Sequence, residues 1–179
     1  MVAALTTIRP ERPGDEDAIA AVVSAAFGTP AEAELVAAIR ASAEFVPGLS
    51  LVAELDGRVV GHVMISGASL ATEDGPRRIT TLSPLAVAPD HQRRGIGSAL
   101  VQEVTVRAGA RGEPLVVLEG NPAYYGRLGF EPASASGISI TLPPWAPPEA
   151  AQVLRLGRYD PSLRGQVVYP AAFDGVTEH

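Results

Sequence analysis

The chain has 179 residues, of which 46% are apolar, and its mean hydropathy is +0.17. This length and composition are those of a folded domain with a buried core rather than a disordered segment. The formal net charge of −6 argues against non-specific binding to nucleic acid, because phosphate backbones attract basic surfaces. We predict one domain spanning 1–179, with a core over about 5–135 and C-terminal strands with a proline-rich loop over about 136–179.

The residues that the sequence lacks exclude several kinds of chemistry. It contains no cysteine, which rules out disulfides and cysteine nucleophiles, and all fourteen basic residues are arginines, so no internal lysine can be a target. No apolar run reaches the length of a membrane span. The first ten residues also lack the basic start and long apolar stretch of a secretory signal. We expect a cytoplasmic protein that binds no membrane.

The N-terminal third is predicted to form one strand, two helices and a hairpin. The segment 5–9 has the apolar character of a short strand. Asp15 is suited to cap a first helix that runs to about Phe27, and Pro30 fits the start of a second helix. The pair Asp56-Gly57 between two apolar runs is typical of a tight β-hairpin.

The remaining chain is predicted to alternate strands and helices. In order, we expect a strand at 79–88, a helix at 95–108, a strand at 115–118, a short helix at 122–128, and strands at 152–156 and 166–169. A strand, a helix and a strand in succession form a βαβ unit, so the strands that begin at Ile79 and Leu115 should run parallel.

Pro84 interrupts the run TTLSPLAVAP, which otherwise has the character of a central strand. Because proline has no N–H to donate, a central strand that contains one usually bulges or splays there. Beyond the bulge, the backbone groups of Leu85 and Val87 would need a ligand or water as partner. Alternatively, Pro84 ends one strand and Leu85 begins another.

The segment HQRRGIGSALV, residues 91–101, leads into the predicted helix. The first N–H groups of a helix lack internal partners and carry partial positive charge. Gly95 and Gly97 would let an anion approach this backbone closely, and Arg93 and Arg94 add full charges. The segment is neither a P-loop nor a three-glycine dinucleotide fingerprint. Taken alone, it is compatible with a phosphate site or with an ordinary helix start.

The segment EGNPAYYGRLGF, residues 119–130, predicts a helix of barely two turns, with Asn121 as its N-cap and Pro122 at its first position. Tyr124 and Tyr125 are neighbours, so their side chains cannot share one helix face. Either one fills the core and the other decorates the surface, or one phenol faces a ligand as a proton donor. An ordinary phenol stays protonated at pH 7, as a general acid must.

The combination of a proline-bulged strand, Gln-x-x-Gly-x-Gly, a helix, a short strand and Asn-Pro-x-Tyr-Tyr-x-x-x-Gly-Phe resembles the GNAT superfamily of acetyl-CoA-dependent N-acetyltransferases. The motifs match over 79–130, and the order of elements extends the match from 5 to about 169. The sequence PAYYGRLGF, together with a C-terminal tail near VVYPAAF, is similar to the sequences of a bacterial subgroup of small predicted acetyltransferases. The resemblance implies an α/β fold whose mixed sheet of six to seven strands is flanked by helices, with splayed parallel strands forming a CoA cleft.

The resemblance also implies roles for the matching residues. The Leu85 N–H would donate to the thioester oxygen, the N–H groups over 93–98 would hold the pyrophosphate, and Asn121 would touch the pantetheine arm. Tyr125, four residues before Gly129, has the family's usual place for the acid that protonates the thiolate. The implied contacts to acetyl-CoA are Leu85, Ala86, Val87, Gln92, Arg93, Arg94, Gly95, Ile96, Gly97, Ser98, Asn121 and Tyr125. No metal is implied.

The implied mechanism is direct attack of a neutral amine on the thioester in a ternary complex, which requires a base. Where some members carry a glutamate this chain has Thr81, which cannot act as a base. Glu119 is a candidate base, with a solvated strand end as the alternative. His62 on the hairpin is a second candidate, although an isolated histidine is more often structural. Glu32 and Glu34 lie where such folds often contact the acceptor.

These residues favour an N-acetyltransferase that acts on a primary amine of a small molecule or peptide. The missing glutamate at Thr81 leaves a non-catalytic CoA sensor or interaction module as the alternative. Nucleic-acid binding through Arg93 and Arg94 fits poorly with the acidic net charge, so no nucleic-acid partner is expected. The sequence leaves the acceptor and the oligomeric state open, a homodimer included.

Overall fold

A computed structural model describes residues 5–175, so both ends of the predicted domain, 1–4 and 176–179, lie outside the described residues. Within 5–175 the chain forms four α-helices, which are α1 (Glu16–Phe27), α2 (Ala31–Arg40), α3 (Ile96–Ala110) and α4 (Pro122–Gly126). The same range forms nine strands, which are β1 (Thr7–Pro10), β2 (Ser50–Leu55), β3 (Arg58–Thr72), β4 (Gly75–Val87), β5 (Leu115–Glu119), β6 (Glu131–Pro132), β7 (Ile138–Ser139), β8 (Ala151–Arg155) and β9 (Gly165–Val168). No helix of this described range is long and apolar enough to cross a bilayer.

The nine strands form one mixed sheet. Seven follow the order β1-β2-β3-β4-β5-β8-β6, while β9 pairs with β3 and with β7. The pairs β4–β5 and β7–β9 are parallel, which confirms the predicted direction of the βαβ unit, and the other pairs are antiparallel. The prediction of six to seven strands is too low, because the structure has nine within the described range. The strands β6 and β7 have only two residues each, which is too few to show an alternating pattern in the sequence.

Asp15 precedes α1 as expected, but its carboxylate does not cap the helix. Instead it accepts hydrogen bonds from Arg9 Nη1 and from the Arg12 N–H, each at 2.7 Å. Arg9 Nη2 also donates to Glu54 of β2 at 2.8 Å, so this guanidinium joins β1 to β2 and to the start of α1. The hydrogen bond from Arg9 lowers the pKa of Asp15. A partner far from the helix therefore overrides the local capping preference.

The hairpin between β2 and β3 turns at Asp56-Gly57, as predicted. Asp56 has φ 50° and Gly57 has φ 75°. Two consecutive residues at positive φ are the requirement of a type I′ turn, which matches the right-handed twist of the strands that it joins. The hairpin thereby brings β3, the longest strand in the described range, into the centre of the sheet.

Helices cover both faces of the sheet. Leu51 and Val63 are buried in the cluster that contains α3, where they meet Leu100. Their neighbours Val52 and Met64 are buried in the opposite cluster, with the apolar residues of α1 and α2. Neighbouring residues of a strand point to opposite faces, so this division follows directly from the strand period. Apolar burial on both faces is the main stabilising contribution to such a fold.

The parallel pair β4–β5 is very short. Its paired residues are Thr80 with Val116 and Thr81 with Val117, and the pairing ends there. Just beyond, the register between β3 and β4 shifts at Pro84, whose peptide bond with Ser83 is cis. The predicted proline bulge is therefore confirmed, and a gap opens between β4 and β5 past this point.

The C-terminal segment returns to the sheet through β9. Its residues Gln166–Val168 pair with Ser69–Ala71 of β3, on the edge of β3 opposite β4. Gly165, at the start of β9, has φ 143° and lies against the carbonyl of Ala71. This pairing carries the residues after β9 toward the gap between β4 and β5.

Replacing Gly165 with alanine should destabilise the protein by about 1–3 kcal/mol, because its Cβ would collide with the Ala71 carbonyl oxygen at a strained φ. The matched control is Gly157→Ala, at an exposed position where a Cβ meets no atom within 4 Å. Urea unfolding of both variants measures the difference. Equal stabilities would contradict the close approach of β9 to β3.

Candidate active site

The edge of β4 that faces the gap carries backbone groups without a strand partner. The Ala88 N–H donates to the Val60 carbonyl of β3 at 2.8 Å. Neighbouring residues of a strand direct their backbone groups to opposite edges, so those of Leu85 and Val87 face away from β3. The Val87 carbonyl indeed accepts from Gln92 Nε2 at 3.0 Å. The Leu85 N–H is thus directed into the gap, where β5 provides no partner.

A cavity of about 500 Å³ lies between the end of β4, the start of α3 and α4. Its lining residues are Leu85, Val87, His91, Gln92, Arg93, Gly95, Ile96, Gly97, Ser98 and Tyr124. Most of the residues predicted to hold a pyrophosphate are thereby brought together. Arg94 is exposed and does not line this cavity, and Ala86 packs on the opposite face with α1 and α2. His91 and Tyr124 also line this cavity, although neither belongs to the contacts that the family resemblance implies.

The loop before α3 has the backbone geometry of an anion cradle. Arg93 has φ 62° and Gly95 has φ 84°, and α3 begins directly afterwards. No side chain caps this helix end, so its first N–H groups face the cavity side with the positive end of the helix dipole. A Cβ on Gly97 would lie 2.7 Å from the Tyr124 hydroxyl. Glycine at this position therefore keeps the cradle open.

The two tyrosines of α4 have different surroundings, as their adjacency predicts. The Tyr124 hydroxyl lies 3.4 Å from Ser98 Oγ, at the start of α3. The Tyr125 ring packs edge-on against Phe130, with centroids 5.6 Å apart, and closely over Gly120. Burial raises the pKa of Tyr125 to about 12, so its phenol keeps its proton at neutral pH.

Asn121 is the N-cap of α4, as predicted, because its Oδ1 accepts from the Ala123 N–H at 2.9 Å. It lines a cavity that also contains Gly120, Pro122 and the exposed Trp145. This cavity is distinct from the one at the start of α3. The backbone of Gly120 and Asn121 nevertheless directly follows β5, on the side of the gap opposite Leu85.

Another cavity of about 500 Å³ opens on the sheet face that carries α1 and α2. Its lining residues are Leu35, Thr81, Leu82, Ser83, Glu119, Thr141, Leu142, Pro143, Pro144, Tyr169 and Phe173. Thr81 on β4 and Glu119 on β5 therefore flank the gap and both reach this cavity. The other acidic candidates, Glu32 and Glu34, do not line it.

Three polar side chains lie together in this cavity. The Thr81 hydroxyl donates to the Val117 carbonyl at 3.1 Å. Tyr169 lines the same cavity as Thr81 and Glu119, and burial and the nearby Glu119 carboxylate raise the pKa of Tyr169. Glu119 is exposed at the strand end, yet partial burial of its carboxyl raises its pKa as well. The sequence places Tyr169 at the end of a predicted strand and in the tail VVYPAAF, whereas in the structure it directly follows β9. Its partners are distant in sequence, so no local pattern assigns it to the site.

His62 lies in the core and lines none of the three cavities. Its side chain is fully buried, and its Nδ1 lies 3.0 Å from the Leu51 carbonyl oxygen. Burial lowers the pKa of His62 to about 4, so the ring is neutral at pH 7. His62 is therefore a structural residue of the core and not a candidate for the catalytic base. Within residues 5–175, no group of three or more histidine, aspartate or glutamate side chains is placed to hold a metal.

A splayed sheet beside an uncapped, arginine-flanked helix start defines a protein that can hold an extended anionic ligand along a strand. Residues 7–133 match the family model described as an acetyltransferase (GNAT) domain. This match covers more than half of the chain, and the chain therefore belongs to the GNAT acetyltransferase family, a family of acyltransferases. The predicted family and fold class are thus confirmed.

Two relatives from Escherichia coli (strain K12) share a third of their residues with this chain. The uncharacterized N-acetyltransferase YjhQ is 35% identical over 120 residues, which are 67% of this chain and 66% of YjhQ, just under two thirds of its length. The uncharacterized N-acetyltransferase YhbS is 33% identical over 159 residues, which are 88% of this chain and 90% of YhbS.

Two solved structures share the fold over nearly the whole chain. The GNAT family N-acetyltransferase YhbS from Escherichia coli in complex with CoA has a TM-score of 0.85 and 31% identity, covering 97% of this chain and 94% of its own. A GNAT family acetyltransferase from Brucella melitensis in complex with acetyl-CoA has a TM-score of 0.77 and 33% identity, covering 96% and 99%.

The buried His62 should make the protein less stable as the pH falls from 7 to 5. Its folded pKa is about 4 against an ordinary 6.5, so the unfolded chain binds a proton in this window and the folded chain does not. Proton linkage therefore lowers the free energy of unfolding by about 2 kcal/mol between pH 7 and pH 5, and the decrease continues down to about pH 4. Urea unfolding at pH 7 and pH 5 measures this decrease in the wild type and in His62→Gln. The decrease should be smaller in the variant by the same amount. An identical pH dependence would contradict a buried neutral ring.

Proposed function

We propose that the protein transfers an acetyl group from acetyl-CoA to a primary amine, which attacks the thioester directly in a ternary complex. The observation that carries this proposal is the parting of β4 from β5 beyond Thr81, with a cavity on each sheet face at that point. Membership of the GNAT family supports it, as do the relatives solved with CoA and with acetyl-CoA.

Acetyl-CoA is assigned to the gap and to the cavity at the start of α3. The uncapped N–H groups of the helix and the Arg93 guanidinium would bind the pyrophosphate. Arg94, exposed beside the loop, adds positive charge to its approach. The backbone of Leu85 and Val87, which has no strand partner on this edge, would pair with the pantetheine arm as a neighbouring strand would, beside the Val87 carbonyl's hydrogen bond from Gln92. The arm would then reach Asn121 across the gap.

The chemistry is assigned to three groups around the gap. The Leu85 N–H would stabilise the charge that develops on the thioester oxygen. Glu119 would take the proton that the amine nitrogen loses as its bond to the acetyl carbon forms. Burial supports this role because a raised pKa makes the carboxylate a stronger base. As the carbon–sulfur bond breaks, the thiolate would take its proton from the Tyr125 phenol.

Gly97→Ala should weaken acetyl-CoA binding at least about tenfold, because its Cβ would crowd the Tyr124 hydroxyl inside the cavity. The matched control is Gly109→Ala on the same helix, where a Cβ meets no atom within 4 Å. Isothermal titration calorimetry measures both variants and the wild type. If the wild type fails to bind acetyl-CoA at near-millimolar concentration, the proposed function is wrong.

Tyr125→Phe should lower kcat about 100-fold while leaving the KM for acetyl-CoA nearly unchanged, because it removes a proton donor and keeps the packed ring. Tyr124→Phe is the matched comparison, since its hydroxyl lies at the cofactor cavity, and it should change KM more than kcat. Steady-state release of the CoA thiol measures both. The opposite pattern would assign the acid role to Tyr124 instead.

A further inference from the structure

We propose that the acceptor is a primary amine carried on an apolar body, and that the Glu119 carboxylate and the Tyr169 phenol oxygen hold its amino group. This inference rests on the proposed acetyl transfer, because it assigns the cavity on the α1 and α2 face to the acceptor. It goes further by naming a class of acceptor and by giving a role to Tyr169, to which the sequence motifs assign none.

The cavity walls are mostly apolar, with one negative group. The apolar lining residues are Leu35, Leu82, Leu142, Pro143, Pro144 and Phe173. Glu119 is the one carboxylate among the described residues that line the cavity, and no cationic side chain lines it. A single ammonium group finds a partner in this carboxylate, and loss of one proton to solvent gives the neutral amine that attacks. A second ammonium on the same acceptor would find no second carboxylate among the described lining residues and would lose hydration against the apolar walls, which is costly.

The Tyr169 phenol is a hydrogen-bonding group in the same cavity as the Thr81 hydroxyl. The single hydroxyl proton of Thr81 is donated to the Val117 carbonyl. Thr81 therefore has no proton to offer another group, whereas the phenol oxygen of Tyr169 has lone pairs that can accept an N–H. Stacking on Phe173, with ring centroids 5.0 Å apart, fixes the ring in this position.

The polar end of the cavity lies where the acetyl group would be. Leu82 and Ser83 line the cavity and directly precede the bulge and the free N–H of Leu85. An amino group held at Glu119 would thus lie at the gap, beside the thioester carbon. The cavity adjoins the one that contains Trp145, with which it shares Glu119, Leu142 and Pro143. A longer apolar body bound at Glu119 would find further apolar surface there.

Hexylamine and cadaverine form the matched pair of acceptors that tests the class, because they have the same length and differ only in a terminal methyl or ammonium group. The kcat/KM for hexylamine should exceed that for cadaverine at least about tenfold. Initial rates of CoA thiol release, with spermidine and a short peptide as further acceptors, give the comparison. A preference for cadaverine, spermidine or the peptide would overturn the proposal.

Charge added to the cavity rim tests the role of the apolar wall. Pro144→Glu places a carboxylate at an exposed lining position and should reduce the hexylamine preference about fivefold by favouring cadaverine. The control is Pro148→Glu, which lies in the same loop, is exposed and lines neither cavity. An unchanged preference in Pro144→Glu, or an equal change in both variants, would contradict the assignment.

Tyr169→Phe tests the phenol as a positioning group. It should raise the KM for hexylamine about tenfold, with the KM for acetyl-CoA unchanged, because one N–H acceptor is lost. The control is Tyr159→Phe, outside this cavity. Titration of hexylamine into protein saturated with CoA gives a binding measurement without turnover. An unchanged affinity in Tyr169→Phe would exclude the phenol from the amine site.

Failure of this inference and failure of the proposed function give different results. If acetyl-CoA binds and a polyamine or peptide releases the thiol better than hexylamine, acetyl transfer stands and the apolar acceptor is wrong. If acetyl-CoA binds but no amine releases its thiol, the protein is a CoA sensor and both proposals fail. If acetyl-CoA does not bind, the cofactor assignment itself is wrong.

Discussion

The two-residue pairing of β4 with β5 is the constraint on which the rest of the site depends. Two parallel strands that paired along their whole length would leave no free edge and no passage through the sheet. Here the bulge at Pro84 ends the pairing after Thr81, so the Leu85 N–H has no strand partner. A free backbone donor inside a folded protein needs another partner. The gap is therefore a place that the fold itself leaves for a ligand.

The two faces of the sheet offer opposite chemistry at this gap. On the α3 face, an uncapped helix start and Arg93 suit an anion. On the α1 and α2 face, Glu119 and apolar walls suit a cation with an apolar body. The sheet separates these environments everywhere except at the gap. A phosphate-bearing donor and an amine acceptor could thus meet there from opposite sides, with neither entering the environment that suits the other.

Local signals accounted for much of the fold and for one half of the site. The Asp56-Gly57 turn, the bulge at Pro84 and the glycine loop before α3 are all backbone features, and each is encoded by a residue that restricts or frees φ. Asp15 shows where such signals fail, because a guanidinium from β1 takes the carboxylate that would otherwise cap α1. The short strands β6 and β7 are equally invisible, since their pairing depends on β8 and β9.

The sequence by itself determined the family, the order of the elements and the residues of the glycine loop, because these depend on motifs that are contiguous in the chain. Only the tertiary structure decided the surroundings of the side chains. It buried His62 in the core and put Tyr124 at the α3 cavity. It also brought Tyr169, which follows β9, into one cavity with Thr81 of β4 and Glu119 at the end of β5. The proximity of residues that are distant in sequence depends on how the strands are ordered in the sheet, and no local pattern of residues encodes that order.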